Sequence, residues 1–257
     1  KLYTIFDRKF IFDSYSCRTD KGTHRAVRRL REFFRKESKN NSRVVYVLKC
    51  DIKKFFDSID QDILLALMRC AIKDVDVLWL LKVIVKSFNQ GLPLGNITSQ
   101  LFANIYLNEL DQFIKQELKV KYYIRYCDDF IILNTDKRFL EELILKINIF
   151  LKSSLKLSLH PNKVTIRNYR QGIDFLGYVS FPNHTVMRLK TKKRMFKNLR
   201  AKIESFKDGN LAEASLRQTL CSYFGILSHC NEHKIAREIM VLCQGFPKRL
   251  LYGFSGF

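Results

Sequence analysis

The sequence predicts an α+β protein, in which a domain of mixed strands and helices precedes a basic, helical C-terminal region. Two apolar stretches with strand character, 44–51 and 122–133, are separated by segments whose apolar residues recur at helical spacing. From about residue 188 the helical spacing continues and basic residues accumulate. The 257 residues suffice for one large domain or two small ones.

The first half of the chain is predicted to hold one strand between helical segments. Residues 22–37 have the spacing of an amphipathic, basic helix, and a polar loop covers 37–42. The β-branched run VVYVLKCD then predicts a buried strand that ends at Asp51. Residues 60–88 are expected to be mostly helical.

The second half is predicted to alternate helices with short strands. The glycine-rich stretch 91–100 is read as a loop, and a helix follows from Leu101. KYYIRYCDDFIILN predicts two short strands around a tight turn at Cys127 and Asp128. The remaining predicted elements are a helix over 140–151, a strand after a turn at Pro161 and Asn162, one strand over DFLGYVSF (174–181) and a basic helix from Arg188.

The charge balance indicates a polyanionic partner. Lys and Arg number 46 against 25 Asp and Glu, which gives a formal charge of +21 and a pI near 9.8. Nucleic acid and an anionic membrane surface are both compatible with such a charge, and nucleic acid is the favoured interpretation.

The cysteine and hydropathy patterns predict a cytoplasmic protein that does not associate with membranes. The seven cysteines are odd in number and scattered, which is typical of reduced thiols. No apolar run reaches the roughly 18 residues of a membrane helix, and no signal peptide is visible. Zinc at His229, Cys230 and His233 is disfavoured because no second ligand pair completes a tetrahedral site.

Three aspartates are candidates for a metal-dependent site because of their positions. Asp51 ends an apolar strand, and Asp128 and Asp129 lie in a turn between apolar strands. Taken singly, each is more often structural, since aspartate is common in turns. If the strand and the hairpin share a sheet, the carboxylates converge, and a cation such as Mg²⁺ would offset their repulsion. With the basic charge, this arrangement indicates nucleotidyl transfer.

Four motifs, in this order and spacing, resemble those of prokaryotic reverse transcriptases related to group II intron enzymes. LKCDIKKFFDSI resembles the first catalytic motif and YCDDF the Tyr-x-Asp-Asp signature. LSLHPNKVTI resembles the next motif with its lysine, and DFLGY the strand that grips the primer end. The resemblance implies a right-hand polymerase fold, with an antiparallel palm sheet packed on helices, partial fingers and a helical thumb.

The resemblance implies an RNA-directed DNA polymerase that extends a primer with dNTPs by two-metal nucleotidyl transfer. Asp51 and Asp128 would ligate two Mg²⁺ ions, with Mn²⁺ as an alternative, and Ile52 would add its backbone carbonyl. Asp129 would be a nearby, less direct carboxylate. Lys163 would protonate the leaving pyrophosphate, and the alternative is a merely solvated lysine.

The resemblance also implies contacts to the incoming nucleotide and to the primer. Phe56 would pack under the sugar and exclude a 2′-hydroxyl, whereas Phe55 is expected in the core. The other expected nucleotide contacts are Leu94, Gly95 and Gln100, and the expected primer contacts are Phe175, Leu176, Gly177 and Tyr178.

Basic residues near both ends would contact template RNA and the RNA–DNA duplex. They are Arg18, Lys21 and Arg25 in the N-terminal segment, and Lys190, Lys192, Lys193, Arg194 and Lys197 on the C-terminal helix. The implied domains are partial fingers over 1–43, a palm with interleaved fingers helices over 44–187 and a thumb over 188–257. The family's triphosphate-binding fingers strands would precede Lys1, so we expect this chain alone not to be fully active.

The loop GLPLGNITSQ indicates a subtype. Most relatives have Gln where Leu94 stands and Ser-Pro where Ser99 and Gln100 stand. The pattern here resembles the reverse transcriptases of diversity-generating retroelements, which copy a template RNA with errors at adenines and work with a small basic accessory protein. Leucine cannot form the hydrogen bonds of an amide, so error-prone synthesis is the expected consequence.

Several functions stay open on the sequence. The first is a templated reverse transcriptase, of the retroelement type or of the group II intron or retron type. The second is a reverse-transcriptase-like phage-defence protein that makes DNA without a template. The third, a catalytically silent nucleic-acid-binding relative, predicts lost carboxylates, but Asp51, Asp128 and Asp129 are all present.

Overall fold

The structure, a computed structural model, describes residues 2–246. The chain forms two compact units, one up to Tyr169 and one from Arg170. This boundary precedes the predicted start of the thumb at residue 188, since the strands before that residue belong to the second unit. The division into 1–43, 44–187 and 188–257 stays a prediction, and its residues 1 and 247–257 lie outside the described residues.

The first unit combines helices with one four-stranded sheet. Its helices are α1 Leu2–Phe6, α2 Thr23–Glu37, α3 Phe55–Ser58, α4 Gln61–Ala71, α5 Val75–Lys86, α6 Ile97–Gln112 and α7 Lys137–Leu155. Its strands are β1 Tyr46–Asp51, β2 Tyr122–Tyr126, β3 Asp129–Asn134 and β4 Thr165–Asn168. A short 3₁₀ turn, Asp7–Lys9, follows α1, and a π-helical segment, Phe113–Glu117, follows α6.

The sheet is antiparallel throughout, with the order β2-β3-β1-β4. The central pair β1 and β3 is aligned from Tyr46 opposite Asn134 to Asp51 opposite Asp129. The predicted hairpin is confirmed, with β2 and β3 joined by the two-residue turn Cys127–Asp128. The end of β1 and the start of β3, which both carry acidic residues, therefore lie side by side in the middle of the sheet.

Both faces of this sheet are covered, which explains why the strands read as continuous apolar runs. Leu48, Cys50 and Phe130 belong to the large core cluster that also holds residues of α4, α6 and α7. Helix α2 contacts β2 and β3, and its Phe33 ring lies 5.2 Å from that of Tyr122. Burial on both sides holds the ends of β1 and β3 in one fixed register.

The second unit combines a small sheet with three helices. Strands β5 Ile173–Phe175, β6 Tyr178–Ser180 and β7 Thr185–Met187 form an antiparallel meander, and helices α8 Leu189–Lys207, α9 Glu213–Leu227 and α10 His233–Leu242 follow. Met187 shares a core cluster with Leu199 and Leu220, so the meander and the helices form one body.

Three predicted elements are corrected. DFLGYVSF is not one strand, because Leu176 and Gly177 have φ of 53° and 88° and turn β5 back into β6. Helix α6 begins at Ile97 instead of Leu101, so the loop is shorter than expected. The stretch before Pro161 forms an isolated bridge, between Ile52 and Leu159, instead of a strand, and the predicted strand after the turn is β4.

The predicted mixture of an antiparallel sheet and helices is confirmed. Within residues 2–246, no helix is both long enough and apolar enough to cross a membrane.

Candidate active site

The predicted carboxylates lie at neighbouring strand ends in the middle of the four-stranded sheet. Asp51 is the last residue of β1 and lies directly opposite Asp129, the first residue of β3. One residue further on, the amide of Ile52 donates to the Asp128 carbonyl at 3.3 Å. Antiparallel pairing of β1 with β3 therefore brings together residues that are distant in the sequence of the first unit.

Asp128 is presented by a tight turn. Cys127, the first residue of that turn, has φ of 55°, a left-handed conformation that is uncommon for a residue with a side chain. Asp128 and Asp129 are both half-buried. The turn places them on the strand end that faces Asp51.

Lys163 reaches the same point from the segment after α7. The amide of His160 donates to the Asp51 carbonyl at 2.8 Å, and the Lys163 amide donates to the His160 carbonyl at 3.1 Å. This turn brings Lys163 Nζ to 3.0 Å from both carboxylate oxygens of Asp51. The structure thus joins the predicted lysine to the predicted catalytic carboxylate.

A second lysine, which no sequence motif indicated, contacts Asp129. Lys49 Nζ lies 3.3 Å from Asp129 Oδ2. Lys49 precedes Asp51 by two residues on β1, so both side chains are on the same face of the sheet. The alternation of side chains along a strand was the sequence signal that could have identified Lys49. The other oxygen, Asp129 Oδ1, is buried and has no hydrogen-bond partner among the described residues.

Burial and mutual repulsion make the pair Asp128–Asp129 hard to ionise. Desolvation raises the pKa of Asp128, and the nearby Asp51 carboxylate adds to this rise. Desolvation also raises the pKa of Asp129 to about 6, even though Lys49 acts in the opposite direction. The site concentrates more negative charge than the two lysines offset.

The donor chemistry of these strand ends fits a hard divalent cation. Carboxylate oxygens are the ligands that Mg²⁺ prefers, and the orphaned Asp129 Oδ1 together with the raised pKa of Asp128 marks a place where added positive charge would be favourable. Within residues 2–246, however, no group of three His, Cys, Asp or Glu side chains is arranged to hold a metal ion. Asp51 and Asp129 are paired with lysines, and the three carboxylates are not gathered around one point.

Phe56 lies in a short helix beside the glycine-rich loop. Phe55 is buried in the core, as expected, whereas Phe56 is half-buried and its ring lies 5.2 Å from that of Phe55. The amide of Leu92 donates to the Phe56 carbonyl at 2.9 Å. A Cβ on Gly91 would lie 2.2 Å from that carbonyl oxygen, so only glycine fits there.

The other predicted nucleotide contacts are accessible. Leu94 is 76% exposed. Gly95 has φ of 93° and open space around it. Gln100 is exposed, but it lies in the first turns of α6 and not in the loop.

The N-terminal basic residues separate into two groups. Arg18 is directed inward, with Nε 2.6 Å from Asp7 Oδ1 and Nη1 2.7 Å from the Ile11 carbonyl. Its guanidinium is used within the segment, so we do not propose it as a template contact. Lys21 Nζ lies 3.6 Å from the centre of the exposed Phe12 ring, and Arg25 is exposed.

In the second unit, the predicted primer-contact residues form a hairpin. Phe175 and Tyr178 are paired across the turn and are both buried. The turn residues Leu176 and Gly177 form the bend of this hairpin and are half-buried. The amide of Arg188 donates to the Gly177 carbonyl at 2.9 Å, which ties the turn to the start of α8.

Helix α8 presents basic residues to solvent. Its apolar face buries Met195, Leu199 and Ile203. Four of the five predicted contacts are exposed, namely Lys190, Lys193, Arg194 and Lys197. The fifth, Lys192, is half-buried, and its ammonium group lies 5.9 Å from the centre of the Phe196 ring.

The comparisons with known proteins agree with the geometry. Residues 1–180 match the family described as "Reverse transcriptase (RNA-dependent DNA polymerase)". The protein YkfC of Escherichia coli K12 is 25% identical over an alignment that covers 68% of this chain and 56% of YkfC. The group II intron-encoded protein LtrA of Lactococcus lactis is 25% identical over an alignment that covers 69% of this chain and 40% of LtrA.

Two further comparisons extend the similarity. The retron Ec73 reverse transcriptase of Escherichia coli is 36% identical over 122 residues, 42% of this chain and 37% of that protein. A Candida albicans telomerase, solved with a TWJ fragment of telomeric RNA, matches 99% of this chain and 50% of its own at a TM-score of 0.59 and 14% identity. This structural likeness supports the fold alone. The chain spans about half the length of YkfC and less of LtrA.

Proposed function

Because this chain belongs to the reverse transcriptase family, we propose that it is an RNA-directed DNA polymerase that extends a primer with dNTPs on an RNA template. The observation that carries the proposal is the placement of Asp51, Asp128 and Asp129 at neighbouring strand ends of one sheet, with Lys163 on Asp51. Carboxylates and a lysine in this arrangement suit phosphoryl transfer, in which catalysis is mostly positioning and charge stabilisation.

The proposed roles follow the family pattern. Asp51 and Asp128 would hold the divalent cations together with the Ile52 carbonyl, and Asp129, one of whose oxygens faces Lys49, would be a nearby, less direct carboxylate. Lys163 Nζ carries the proton that the leaving pyrophosphate takes up. When bound, two Mg²⁺ ions would activate the primer 3′-hydroxyl and stabilise charge on the leaving group, and Mn²⁺ is an alternative.

The nucleotide and nucleic-acid contacts are proposed on the same family pattern. Phe56 packs under the sugar and selects dNTPs, and Leu94, Gly95 and Gln100 lie at the nascent base pair. Phe175, Leu176, Gly177 and Tyr178 place the primer end. Lys21, Arg25 and the basic face of α8 bind template and duplex phosphates, which the +21 charge supports.

A primer-extension assay tests this function. Purified protein receives a defined RNA template, a DNA primer, Mg²⁺ and dNTPs supplied singly and together. The expected result is extension by the complementary nucleotide only, and no extension by Asp128→Ala because the remaining carboxylates cannot complete the metal site. Product that ignores the template sequence would reject templated synthesis, and unchanged synthesis by Asp128→Ala would reject the metal assignment.

We propose further that the enzyme is an error-prone reverse transcriptase of a diversity-generating retroelement. Leu94, with Ser99 and Gln100 following it, is the supporting pattern, and the exposed side chain of Leu94 leaves it free to face a substrate. This proposal includes a small basic accessory protein as partner. It also includes a reducing, cytoplasmic location, which the seven unpaired cysteines support.

Two alternatives are distinguished by the same assay. A group II intron or retron-type enzyme is favoured by the similarity to LtrA and to the retron Ec73 enzyme, and it predicts ordinary fidelity opposite template adenine. A phage-defence relative predicts DNA synthesis without a template.

A further inference from the structure

A fully buried arginine lies three residues before Asp128. Arg125 on β2 has no exposed surface, although arginine is almost never buried completely in a protein. Its backbone is also fixed, since its amide donates to the Asp13 carbonyl at 3.0 Å and its carbonyl accepts from the Tyr15 amide at 2.9 Å. Neither the carboxylate site nor the proposed nucleic-acid contacts account for this burial.

Every N–H group of the Arg125 guanidinium has an acceptor. Nε and Nη2 donate to the two oxygens of Asp111 on α6, at 2.7 and 2.6 Å. Nη2 also donates to Ser14 Oγ at 3.1 Å, and Nη1 donates to Asn104 Oδ1 at 3.2 Å. The fifth bond runs from Nη1 to the carbonyl of Cys127 at 3.1 Å. A guanidinium has five such donors and a lysine ammonium has three.

The bond to Cys127 is the one that links this network to the catalytic turn. Cys127 adopts a left-handed conformation, with φ of 55°, that costs free energy for any residue with a Cβ. Its carbonyl belongs to the peptide unit that leads directly into Asp128. A fixed donor on that carbonyl therefore limits the rotation of the backbone that presents the Asp128 carboxylate.

Stability alone is a weak reason for this network. Replacing a buried ion pair by apolar side chains of similar volume is often neutral or stabilising, because two charges must be desolvated to form the pair. An apolar replacement can fill the volume between β2 and α6, but it cannot donate to the Cys127 carbonyl. The hydrogen bond to the Cys127–Asp128 turn is thus the role for which the Arg125 guanidinium is needed.

We propose that Arg125 is a positioning residue that holds the Cys127–Asp128 turn in the geometry needed for catalysis, and that Asp111 orients its guanidinium. The inference deepens the proposed polymerase function and rests on it for the role of Asp128. In this proposal the buried polar network has a role in positioning the active site. The network includes α6 through Asn104 and the N-terminal segment through Ser14.

The test uses two variants that remove the hydrogen bond to the Cys127 carbonyl in different ways. Arg125→Lys keeps the charge but has too few donors, and we expect kcat to fall roughly 10- to 100-fold, as for other residues that orient metal ligands. The triple variant Arg125→Met, Asp111→Leu and Tyr123→Phe replaces the pair and the Tyr123 hydroxyl bound to Asp111 by apolar groups. It is expected to stay folded and to lose kcat to the same extent.

Separate kinetic and binding readouts distinguish positioning from stability. In both variants KM for dNTP and the affinity for primer–template should stay within about twofold of the wild type, because only the turn is altered. The rise in melting temperature on adding Mg²⁺ should shrink, since a loosened Asp128 binds the ion less tightly. The matched control is Asp74→Ala, which removes the N-cap of α5. It lowers stability without touching the turn, so its kcat should stay unchanged.

Each outcome decides the proposal. Wild-type kcat in the folded fraction of Arg125→Lys, or wild-type kcat in the triple variant, would overturn it. Failure of both variants to fold would also overturn it, because the network would then serve stability. If the wild-type protein itself does not extend primers, the proposed function fails, and the Mg²⁺-dependent melting shift still decides whether Arg125 positions the turn.

Discussion

Two lysines act on different carboxylates, and this separates the roles of the aspartates. Lys163 contacts both oxygens of Asp51 at 3.0 Å, whereas Lys49 contacts one oxygen of Asp129 at 3.3 Å. Lys49 is fixed on a central strand, while Lys163 is on a turn and its side chain is 55% exposed. The Lys163 side chain is therefore the less confined of the two, which suits the proton donor of the proposed reaction.

Leu94 allows a prediction at the scale of one residue. Its side chain is 76% exposed, so Leu94→Gln should change the free energy of unfolding by no more than about 0.5 kcal/mol. The added amide can hydrogen-bond at the nascent base pair, and discrimination between bases should increase. We expect misincorporation opposite template adenine to fall several-fold, as measured by sequencing of the extended products.

Ile97→Gln is the matched control for this change. Ile97 is 86% exposed and lies in the first turn of α6, so the variant introduces the same amide at a neighbouring site. It should leave the error spectrum unaltered. If Leu94→Gln gives the wild-type spectrum opposite adenine, Leu94 has no role in fidelity and the main support for the retroelement subtype is removed.

At the scale of elements, the glycine-rich loop and the helix that carries Phe56 form one assembly. The Leu92 amide donates to the Phe56 carbonyl at 2.9 Å. Gln61 at the start of α4 donates to the carbonyls of Phe88 and Gly91, at 2.9 and 3.2 Å. The loop thus supports the backbone of the residue proposed to exclude ribonucleotides.

Gly91→Ala tests this support. The new Cβ would lie 2.2 Å from the Phe56 carbonyl oxygen, so the loop and Phe56 must move apart. We expect a lower kcat/KM for dNTP and a several-fold loss of discrimination against rNTP, because a displaced ring clashes less with a 2′-hydroxyl. Both quantities come from single-nucleotide extension with matched dNTP and rNTP.

Gly95→Ala controls for backbone strain in the same loop. Gly95 also has a positive φ, of 93°, but nothing lies within 4 Å of the added Cβ. The substitution therefore has a conformational cost of about 1 to 3 kcal/mol without contacting Phe56. Equal loss of sugar discrimination in both variants would show that loop strain, and not the contact with Phe56, is responsible.

The elements also show how far sequence patterns can predict this structure. The hairpin around Cys127 and Asp128 was predictable because apolar strands flank a polar turn. The two strands at 173–180 were read as one, because Leu176 gives no turn signal and takes a positive φ only in the folded chain. Lys49 and Arg125 were overlooked for a different reason, since their partners Asp129 and Asp111 are distant in sequence and meet them only through packing.

At the scale of the whole molecule, the charge of +21 is distributed over both units, and α8 carries a dense part of it. In α8 the first acidic residue is Glu204, and the basic residues before it are exposed or half-buried. A basic surface of this kind binds phosphates without reading sequence, and its affinity falls as the salt concentration rises. The proposed thumb contact should therefore be salt-sensitive.

Reversing two charges on α8 tests whether this helix contacts the duplex directly or only contributes to the net positive charge of the protein. Lys190→Glu with Arg194→Glu should weaken primer–template binding, because both side chains are exposed on the proposed contact surface. The slope of log affinity against log salt should decrease in magnitude by about one for each phosphate that is no longer neutralised. Binding is measured by fluorescence anisotropy over a series of salt concentrations.

A second pair of reversals separates a local contact from the effect of net charge. Lys146→Glu with Lys152→Glu on α7 makes the same change in net charge at other exposed positions. A contact at α8 predicts a reduced slope for the first pair and a nearly unchanged slope for the second, since a slope counts only the phosphates that the protein neutralises directly. Equal effects of the two pairs would mean that net charge alone attracts the duplex, and α8 would then lose its proposed role.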